Sequence, residues 1–215
     1  MTRTVSIDFV SDVMCPWCAL GAVALQQAIA NLAGEVAVEL TFKPFELNPD
    51  MPPEGENAVE HMMRKYGRTL AEVTARNVMV IDRGNALGFT FDLAKRTHFY
   101  NSFDAHRLLY WSVAQDRQVA LKHILFKAHF SDGENISSHD TLVRLAGEVG
   151  LSTVRAQEVL DSGELTAEVR ELEDFYRMRG INAVPAMVLN GRHLVAGSQS
   201  VEEYEQAIRQ IAVAP

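Results

Sequence analysis

The sequence predicts an α/β fold with a large all-helical insertion, and three observations lead to this prediction. Two runs in which apolar and polar residues alternate, 4–10 and 36–42, flank a helix-like run near the start of the chain. One helix, two strands joined by Asn190-Gly191 and a last helix follow near its end. Between residues 48 and 163 the apolar residues recur almost throughout at helical spacing.

The first predicted unit is a strand, a helix and a second strand. Val5, Ile7 and Phe9 alternate with polar residues, which is the period of a strand. The helix covers residues 19–33, and Gly34 is typical of a helix end. A strand over 36–42 follows and stops before Pro44. Two strands joined by a helix form a βαβ unit, so we expect them to be parallel.

The middle of the chain is predicted to be helical. An irregular connector over residues 48–53 is rich in proline. Asn57 with Glu60 and Thr69 with Glu72 have the spacing of capping boxes, which mark helix starts. Helices are predicted over residues 57–66, 70–87, 103–115, 119–130, 138–149 and 152–160.

The end of the chain returns to mixed structure. A helix over 165–179 stops at Gly180, and strands over 186–189 and 192–196 flank Asn190-Gly191, the strongest short signal for a hairpin. Ser200 and Glu203 form a further capping box before the last helix.

Without the helical segment, the order of elements is β-α-β followed by α-β-β-α, which is the order of the thioredoxin fold. The sequence therefore predicts a discontinuous thioredoxin-like domain over residues 1–47 and 164–215, with an inserted helical domain over 48–163.

Composition and charge narrow the possible functions. The net charge of −8 makes nucleic acid a poor partner on electrostatic grounds. The sequence has no run of 18 or more apolar residues, so no membrane span is predicted. The first residues have no apolar signal-peptide core, and we expect the chain in the reducing cytoplasm.

The sequence has two cysteines, Cys15 and Cys18, with Pro16 and Trp17 between them at a predicted strand–helix junction. Unpaired amides at a helix start favour a thiolate, which is the nucleophile in thiol–disulfide exchange. Pro16 suits the first helical turn. We therefore expect Cys15, at or near the N-cap, to attack a disulfide, and Cys18, one turn later, to resolve the intermediate.

Three other interpretations of the cysteine pair carry less weight. A zinc site needs about four ligands, and the sequence has no second pair of cysteines. A structural disulfide would close a loop too small to remove much chain entropy. An inert buried pair does not explain the Pro-Trp insert at a strand–helix junction. No metal site is expected.

The chain resembles the DsbA-like branch of the thioredoxin superfamily, and within it the cytoplasmic FrnE-like proteins. The resemblance rests on residues 12–18 (Asp-Val-Met-Cys-Pro-Trp-Cys), 44–49 (Pro-Phe-Glu-Leu-Asn-Pro), 101–107 (Asn-Ser-Phe-Asp-Ala-His-Arg), 180–185 (Gly-Ile-Asn-Ala-Val-Pro) and 197–199 (Gly-Ser-Gln). The strongly oxidising periplasmic members carry Pro-His between their cysteines, so Pro-Trp here leaves the direction of the reaction open.

The resemblance implies roles for residues facing the cysteines. Pro185 matches the cis-proline of the superfamily; an ordinary trans proline at a strand start is the alternative. Val184 matches the residue whose backbone pairs with an extended substrate.

Other residues near the cysteines have two interpretations each. Asn101, Phe103 and His106 match a run that could line the substrate cleft, although His106 fits a packing role equally well. Trp17 either presents an apolar face beside the thiols or fills the gap between lobe and sheet. Asp12 is interpreted as an exposed loop-end carboxylate in preference to one that raises the thiol pKa.

The function predicted first is a cytoplasmic thiol–disulfide oxidoreductase that acts on protein or small-molecule disulfides. It needs no bound cofactor, although glutathione is a possible co-substrate, and it is a monomer or homodimer. The second hypothesis is a glutathione-dependent enzyme similar to the kappa-class transferases and 2-hydroxychromene-2-carboxylate isomerases, which typically place serine where Cys15 stands. The third is a non-catalytic module that binds a partner through the helical lobe.

Overall fold

The computed structural model describes residues 3–52 and 54–213. Pro53 of the predicted connector, and the chain's first two and last two residues, lie outside the described part of the chain. The described elements are β1 (Thr4–Ser11), α1 (Pro16–Asn31), β2 (Ala37–Pro44), β3 (Glu56–Asn57), α2 (Ala58–Tyr66), α3 (Leu70–Ala86), β4 (His98–Phe99), α4 (Phe103–Trp111), α5 (Gln118–Lys127), α6 (His139–Glu148), α7 (Thr153–Ser162), α8 (Thr166–Met178), β5 (Ala186–Leu189), β6 (His193–Ala196) and α9 (Val201–Val213).

Four strands form one sheet in the order β2-β1-β5-β6. β1 is parallel to β2, with Phe9 opposite Phe42, and antiparallel to β5, with Phe9 opposite Met187. β5 and β6 form the hairpin at Asn190-Gly191. This is the thioredoxin fold, and the predicted fold class is confirmed.

Helices cover both faces of the sheet. α1 and α9 contribute Leu25 and Ile208 to the apolar core on one face, which also contains Phe9 and both cysteines. Tyr176 of α8 and Phe45 pack with Val10 in a second cluster. β1, one of the two inner strands of this mixed sheet, is therefore covered on both faces.

The helical lobe has a core of its own, and that core extends into the active-site segment. Val13 and Met14, which precede the cysteines, are buried in the core formed by α2 to α7. Conversely, Phe126 and Phe130 from the lobe join the core of the sheet. The packing crosses the boundary predicted between the two domains, which stays a prediction.

Among the described residues, two of the three predicted capping boxes are complete, and the third has only the bonds to the Asn57 side chain. The Thr69 hydroxyl accepts from the Glu72 amide while Glu72 accepts from Thr69, and Ser200 and Glu203 do the same. Asn57 accepts from the first amides of α2. Two predicted helices end in tighter or wider turns: a 3-10 turn, Ser112–Gln115, follows α4, and a π turn, Ala128–Asp132, follows α5.

The β3–β4 ribbon was not predicted. It pairs Glu56 with Phe99 and ties the start of α2 to the segment that leads into α4. Within the described ranges, the helices fall short of the length and apolar character needed to cross a membrane.

Candidate active site

A short turn after β1 places the first cysteine at the start of α1. The Cys15 amide donates to the carbonyl oxygen of Asp12 at 3.2 Å, and Cys15 is the N-cap residue of the helix. Pro16 occupies the first helical turn, where its missing N–H leaves no gap. The Cys18 amide donates to the Cys15 carbonyl at 3.0 Å, so the second thiol follows one turn later.

Both cysteines are free thiols, and Cys15 is 3% and Cys18 0% exposed. Their surroundings shift the pKa values of the two thiols in opposite directions. The pKa of Cys15 is lowered, most strongly by a hydrogen bond from the Cys18 thiol and further by the backbone amides of Cys18 and Trp17. Burial and the charge of Asp12 act in the opposite direction and raise this pKa. Burial, then the hydrogen bond and charge of Cys15, raises the pKa of Cys18 well above its ordinary value. The site therefore favours a thiolate at Cys15 and a thiol at Cys18.

Val184 and Pro185 face the cysteines, and the peptide bond between them is cis. In its thiol form, Cys15 Sγ donates to the Val184 carbonyl oxygen at 3.8 Å. A Cβ on Gly21 would lie 3.4 Å from Pro185 Cγ and 3.1 Å from the Phe9 ring, so glycine allows α1 to approach this loop closely.

Asp12 is 0% exposed, so its interpretation as an exposed loop-end carboxylate is wrong. Oδ1 accepts from the Met14 amide at 3.1 Å and Oδ2 from the Leu47 amide at 2.7 Å. Burial would raise the pKa of Asp12, but His106, with Nε2 at 3.6 Å from Oδ1, and the two amides together lower it. The carboxylate fixes the cysteine turn against residue 47, and its charge raises the pKa of Cys15.

The other predicted cleft residues, Asn101, Phe103 and His106, lie outside the cleft lining, and His106 lies beside Asp12. His106 is 2% exposed on α4. The Asn101 side chain accepts from the Phe103 amide at 2.9 Å, and the Phe103 ring lies under the Arg170 guanidinium at 3.7 Å. Their role as substrate contacts stays a prediction.

Trp17, in the first turn of α1, is partly buried and faces α3. The guanidinium carbons of Arg76 and Arg83 lie 5.6 and 5.3 Å from its ring centroid. Trp17 also packs against the sheet core and lines the cleft beside Cys15. Both interpretations of this tryptophan therefore apply.

An open cleft of about 570 Å³ lies over Cys15. It is lined by Cys15, Trp17, Phe45, Glu46, Leu47, Pro49, Met62, Lys65, Tyr66, Arg68, Arg76, Arg177, Asn182, Ala183 and Val184. Of the predicted site residues it brings together Cys15, Trp17 and Val184. The cationic residues of this lining were not predicted as site residues, because a charged residue on a predicted helix usually lies on the face exposed to solvent.

Lys122 of α5 lies near the cysteines and was not predicted as a site residue. It is 0% exposed, and within the described residues its Nζ has no hydrogen-bond partner. Nζ lies 5.6 and 5.0 Å from the ring centroids of Phe42 and Phe126. Burial lowers the pKa of Lys122 to about 8, although the negative charges of the two cysteines and Asp12 raise it. A buried cation therefore stabilises negative charge at the cysteines.

Across residues 3–52 and 54–213, His, Cys, Asp and Glu do not gather in groups of three or more that could hold a metal ion.

A thioredoxin fold that presents one activated and one buried thiol beside an X-Pro loop defines a class: the protein is a thiol–disulfide oxidoreductase. The chain belongs to the DSBA-like thioredoxin domain family, whose model matches residues 6–209.

One protein and one solved structure are similar to nearly the whole chain. The chain is 26% identical over 221 residues to the uncharacterized protein YwbO of Bacillus subtilis (strain 168), covering 95% of this chain and 96% of that protein. It is 28% identical to the probable DsbA oxidoreductase SCO1869 of Streptomyces coelicolor, with a TM-score of 0.89 over 96% of this chain and 89% of that one.

Two more distant structures share the fold. A 2-hydroxychromene-2-carboxylate isomerase has a TM-score of 0.72 at 17% identity, covering 96% of this chain and 95% of its own. The cytosolic disulfide reductase DsbM of Pseudomonas aeruginosa, in a structure with glutathione (GSH), has a TM-score of 0.61 at 20% identity, covering 96% of each chain. At these identities the likeness concerns the fold alone.

Proposed function

We propose that the chain is a cytoplasmic thiol–disulfide oxidoreductase in which Cys15 is the attacking thiol and Cys18 the resolving thiol. The observation that carries this proposal is the position of Cys15 Sγ at a helix N-cap, 3.8 Å from the Val184 carbonyl oxygen. An extended substrate that pairs with the backbone of Val184 would bring its sulfur to this thiolate. The compartment is part of this proposal, and DsbM, which shares the fold, is described as a cytosolic disulfide reductase.

The exchange transfers two electrons in two steps. The Cys15 thiolate attacks one sulfur of a substrate disulfide, forms a mixed disulfide and releases the first substrate thiolate. Cys18 then loses its proton and attacks Cys15 Sγ, which releases the second thiolate and leaves a Cys15–Cys18 disulfide. No step needs a bound cofactor, and the reverse sequence oxidises a dithiol substrate.

Substitution of each cysteine tests the assigned order. Cys15→Ser should abolish exchange, whereas Cys18→Ser should stop after the first step and accumulate mixed disulfides, which intact-protein mass spectrometry detects. Equal residual activity in the two variants would contradict the order, and ordinary reactivity of both thiols without cycling would favour a non-catalytic binding module.

The direction of the reaction is set by the reduction potential of the Cys15–Cys18 couple. Equilibration with glutathione buffers measures it: a value near about −270 mV indicates a reductant and one near about −120 mV an oxidant.

A glutathione-dependent isomerase or transferase is the second candidate, because an isomerase shares the fold and the cleft over Cys15 is open. Relatives of that type typically carry serine at the position of Cys15, so Cys15→Ser separates the two functions. An isomerase should keep glutathione-dependent turnover in this variant, while an oxidoreductase should lose its activity.

A further inference from the structure

The cations of the active-site cleft lack acidic partners, in contrast to most cations elsewhere in the protein. Arg64, Arg144, Arg155 and Arg209, for example, each form an ion pair with a carboxylate. Among the described residues, no carboxylate lies within ion-pair distance of the four cations in the cleft lining, which are Lys65, Arg68, Arg76 and Arg177. In a chain of net charge −8, four cations without ion-pair partners therefore line the cleft over Cys15.

Two of these cations donate hydrogen bonds to neutral backbone acceptors. Lys65 Nζ donates to the Leu47 carbonyl oxygen at 2.6 Å, and Arg177 Nη2 donates to the Glu46 carbonyl oxygen at 3.2 Å, both neutral acceptors. The acidic residue in the lining, Glu46, is instead paired with Arg170 outside it.

A smaller cavity of about 130 Å³ adjoins the cleft and shares Arg76 and Met62 with it. Arg96 lines this cavity and is 6% exposed. Within the described part of the chain, its Nε and Nη1 have no hydrogen-bond partner. Burial, with a smaller effect from the charge of Arg76, lowers the pKa of Arg96 to about 10. Two neighbouring guanidiniums without an acid are costly to bury, and a bound anion would offset that cost.

We propose that the cleft binds a low-molecular-weight disulfide that carries a carboxylate on each side of its sulfur atoms. One carboxylate lies against the lobe at Arg68 and Arg76, backed by Arg96, and the other lies across the cleft at Arg177. The inference rests on the proposed function and adds the class of substrate. A volume of about 570 Å³ suits a small ligand better than a folded protein, since ligand pockets are commonly about 300–1,000 Å³.

A charge series of small disulfides tests the proposal. Fully reduced protein is mixed, without added reductant, with disulfides of mercaptopropionate (anionic), mercaptoethanol (neutral) and cysteamine (cationic), which have similar length. The rate of Cys15–Cys18 oxidation should be at least about tenfold faster with the anionic disulfide than with the neutral one, and slowest with the cationic one. Added salt should reduce the difference, because the attraction is partly exposed to solvent.

Two pairs of variants separate cleft charge from general effects. Arg76→Gln should reduce the anionic preference by about tenfold, whereas Arg83→Gln, which also removes a guanidinium from Trp17 but lies outside the cleft lining, should keep it. Arg68→Glu should reduce the rate with the anionic disulfide about fivefold and raise that with the cationic one. Arg64→Glu, at another exposed arginine outside the lining, should do neither.

The outcomes distinguish this inference from the proposed function. Equal rates with the three small disulfides would overturn the substrate class while leaving the oxidoreductase in place, and no oxidation by any of them would contradict the proposed function itself. Faster oxidation by an acidic peptide disulfide than by mercaptopropionate or glutathione disulfide would also overturn the small-molecule class. Preference for the anionic disulfide, lost in Arg68→Glu and Arg76→Gln and kept in both controls, supports it.

Discussion

The two thiols of this protein are one helical turn apart, yet they differ in what surrounds them. Cys15 is the N-cap of α1, where the Cys18 thiol and the amides of Cys18 and Trp17 lower its pKa, while burial raises the pKa of Cys18. The spacing of the cysteines before a predicted helix was sufficient to place Cys15 at the N-cap. It could not reveal that Asp12 is buried behind the turn, because its partners Leu47 and His106 are remote in sequence.

Removing the Cys18 thiol should raise the pKa of Cys15, because its hydrogen bond is the largest influence that lowers this pKa. We expect the alkylation midpoint of Cys15 in Cys18→Ala to rise by about one unit. Cys18→Ser, which keeps a hydroxyl donor, is the matched control and should show a smaller rise. An unchanged midpoint in Cys18→Ala would mean that the helix amides alone hold the thiolate.

Lys122→Met should raise the pKa of both thiols, because the variant removes a buried cation and keeps the length of the side chain. The alkylation midpoint of Cys15 should rise by up to about one unit, and the reduction potential should become more negative since the thiolate form is less stable. The same variant should be more resistant to urea, because an unpaired buried ammonium is costly.

Lys127→Met, in the next turn of α5 at an exposed position paired with Asp132, is the control for Lys122→Met. It should leave the thiol midpoints and the potential unchanged. Equal effects of the two substitutions would show that the cation at position 122 has no special influence on the cysteines.

At the level of elements, α3 joins the lobe to the active site. It carries Arg76 and Arg83, which lie over Trp17, and its first turn is held by the reciprocal bonds of Thr69 and Glu72. Thr69→Ala should lower the free energy of unfolding by about 1 kcal/mol and speed hydrogen exchange in the first turn of α3. Cys15 should then react more slowly with anionic disulfides, since Arg76 is held less firmly.

Ser152→Ala is the matched control, because Ser152 caps α7 through the Arg155 amide and lies outside the cleft lining. It should cost a similar free energy of unfolding, measured by urea titration, and leave the disulfide reaction unchanged. If both variants slowed the reaction equally, the loss would reflect global stability and not the position of α3.

Helix periodicity and capping residues predicted the long elements, and short-range patterns failed where the structure depends on distant contacts. The β3–β4 ribbon has two residues in each strand, too few for a periodic signal, and it forms because Glu56 meets Phe99 across α2 and α3. The 3-10 and π turns after α4 and α5 keep a helical pattern of apolar residues, so the sequence could not separate them from the helices they extend.

For the whole molecule, the order of strands and helices was enough to predict the sheet, and the resemblance to the superfamily was needed to place Val184 and Pro185 opposite the cysteines. The lining of the cleft was not predictable in this way. Its cations come from α2, α3, the turn between them and α8, and only the packing of the lobe on the sheet brings Arg76 and Arg177 to one cleft. Without that packing, each is one more charged residue on an amphipathic helix.

The protein should lose stability as the pH falls below about 6.5, because His129, which is buried, and His123, which is partly buried, are neutral in the folded lobe. Burial lowers the pKa of His129 to about 3 and that of His123 to about 4. Between these values and about 6.5 the unfolded chain binds protons that the folded chain does not, so each histidine should cost on the order of 1.4 kcal/mol per pH unit. The free energy of unfolding by urea should therefore fall by about 4 kcal/mol from neutral pH to about pH 5.

The variant His129→Leu, which removes no hydrogen bond within the described residues, should halve this dependence of the unfolding free energy on pH. The control His193→Leu, on the exposed β6, should not change it. A slope that is the same in both variants would show that other groups cause the loss.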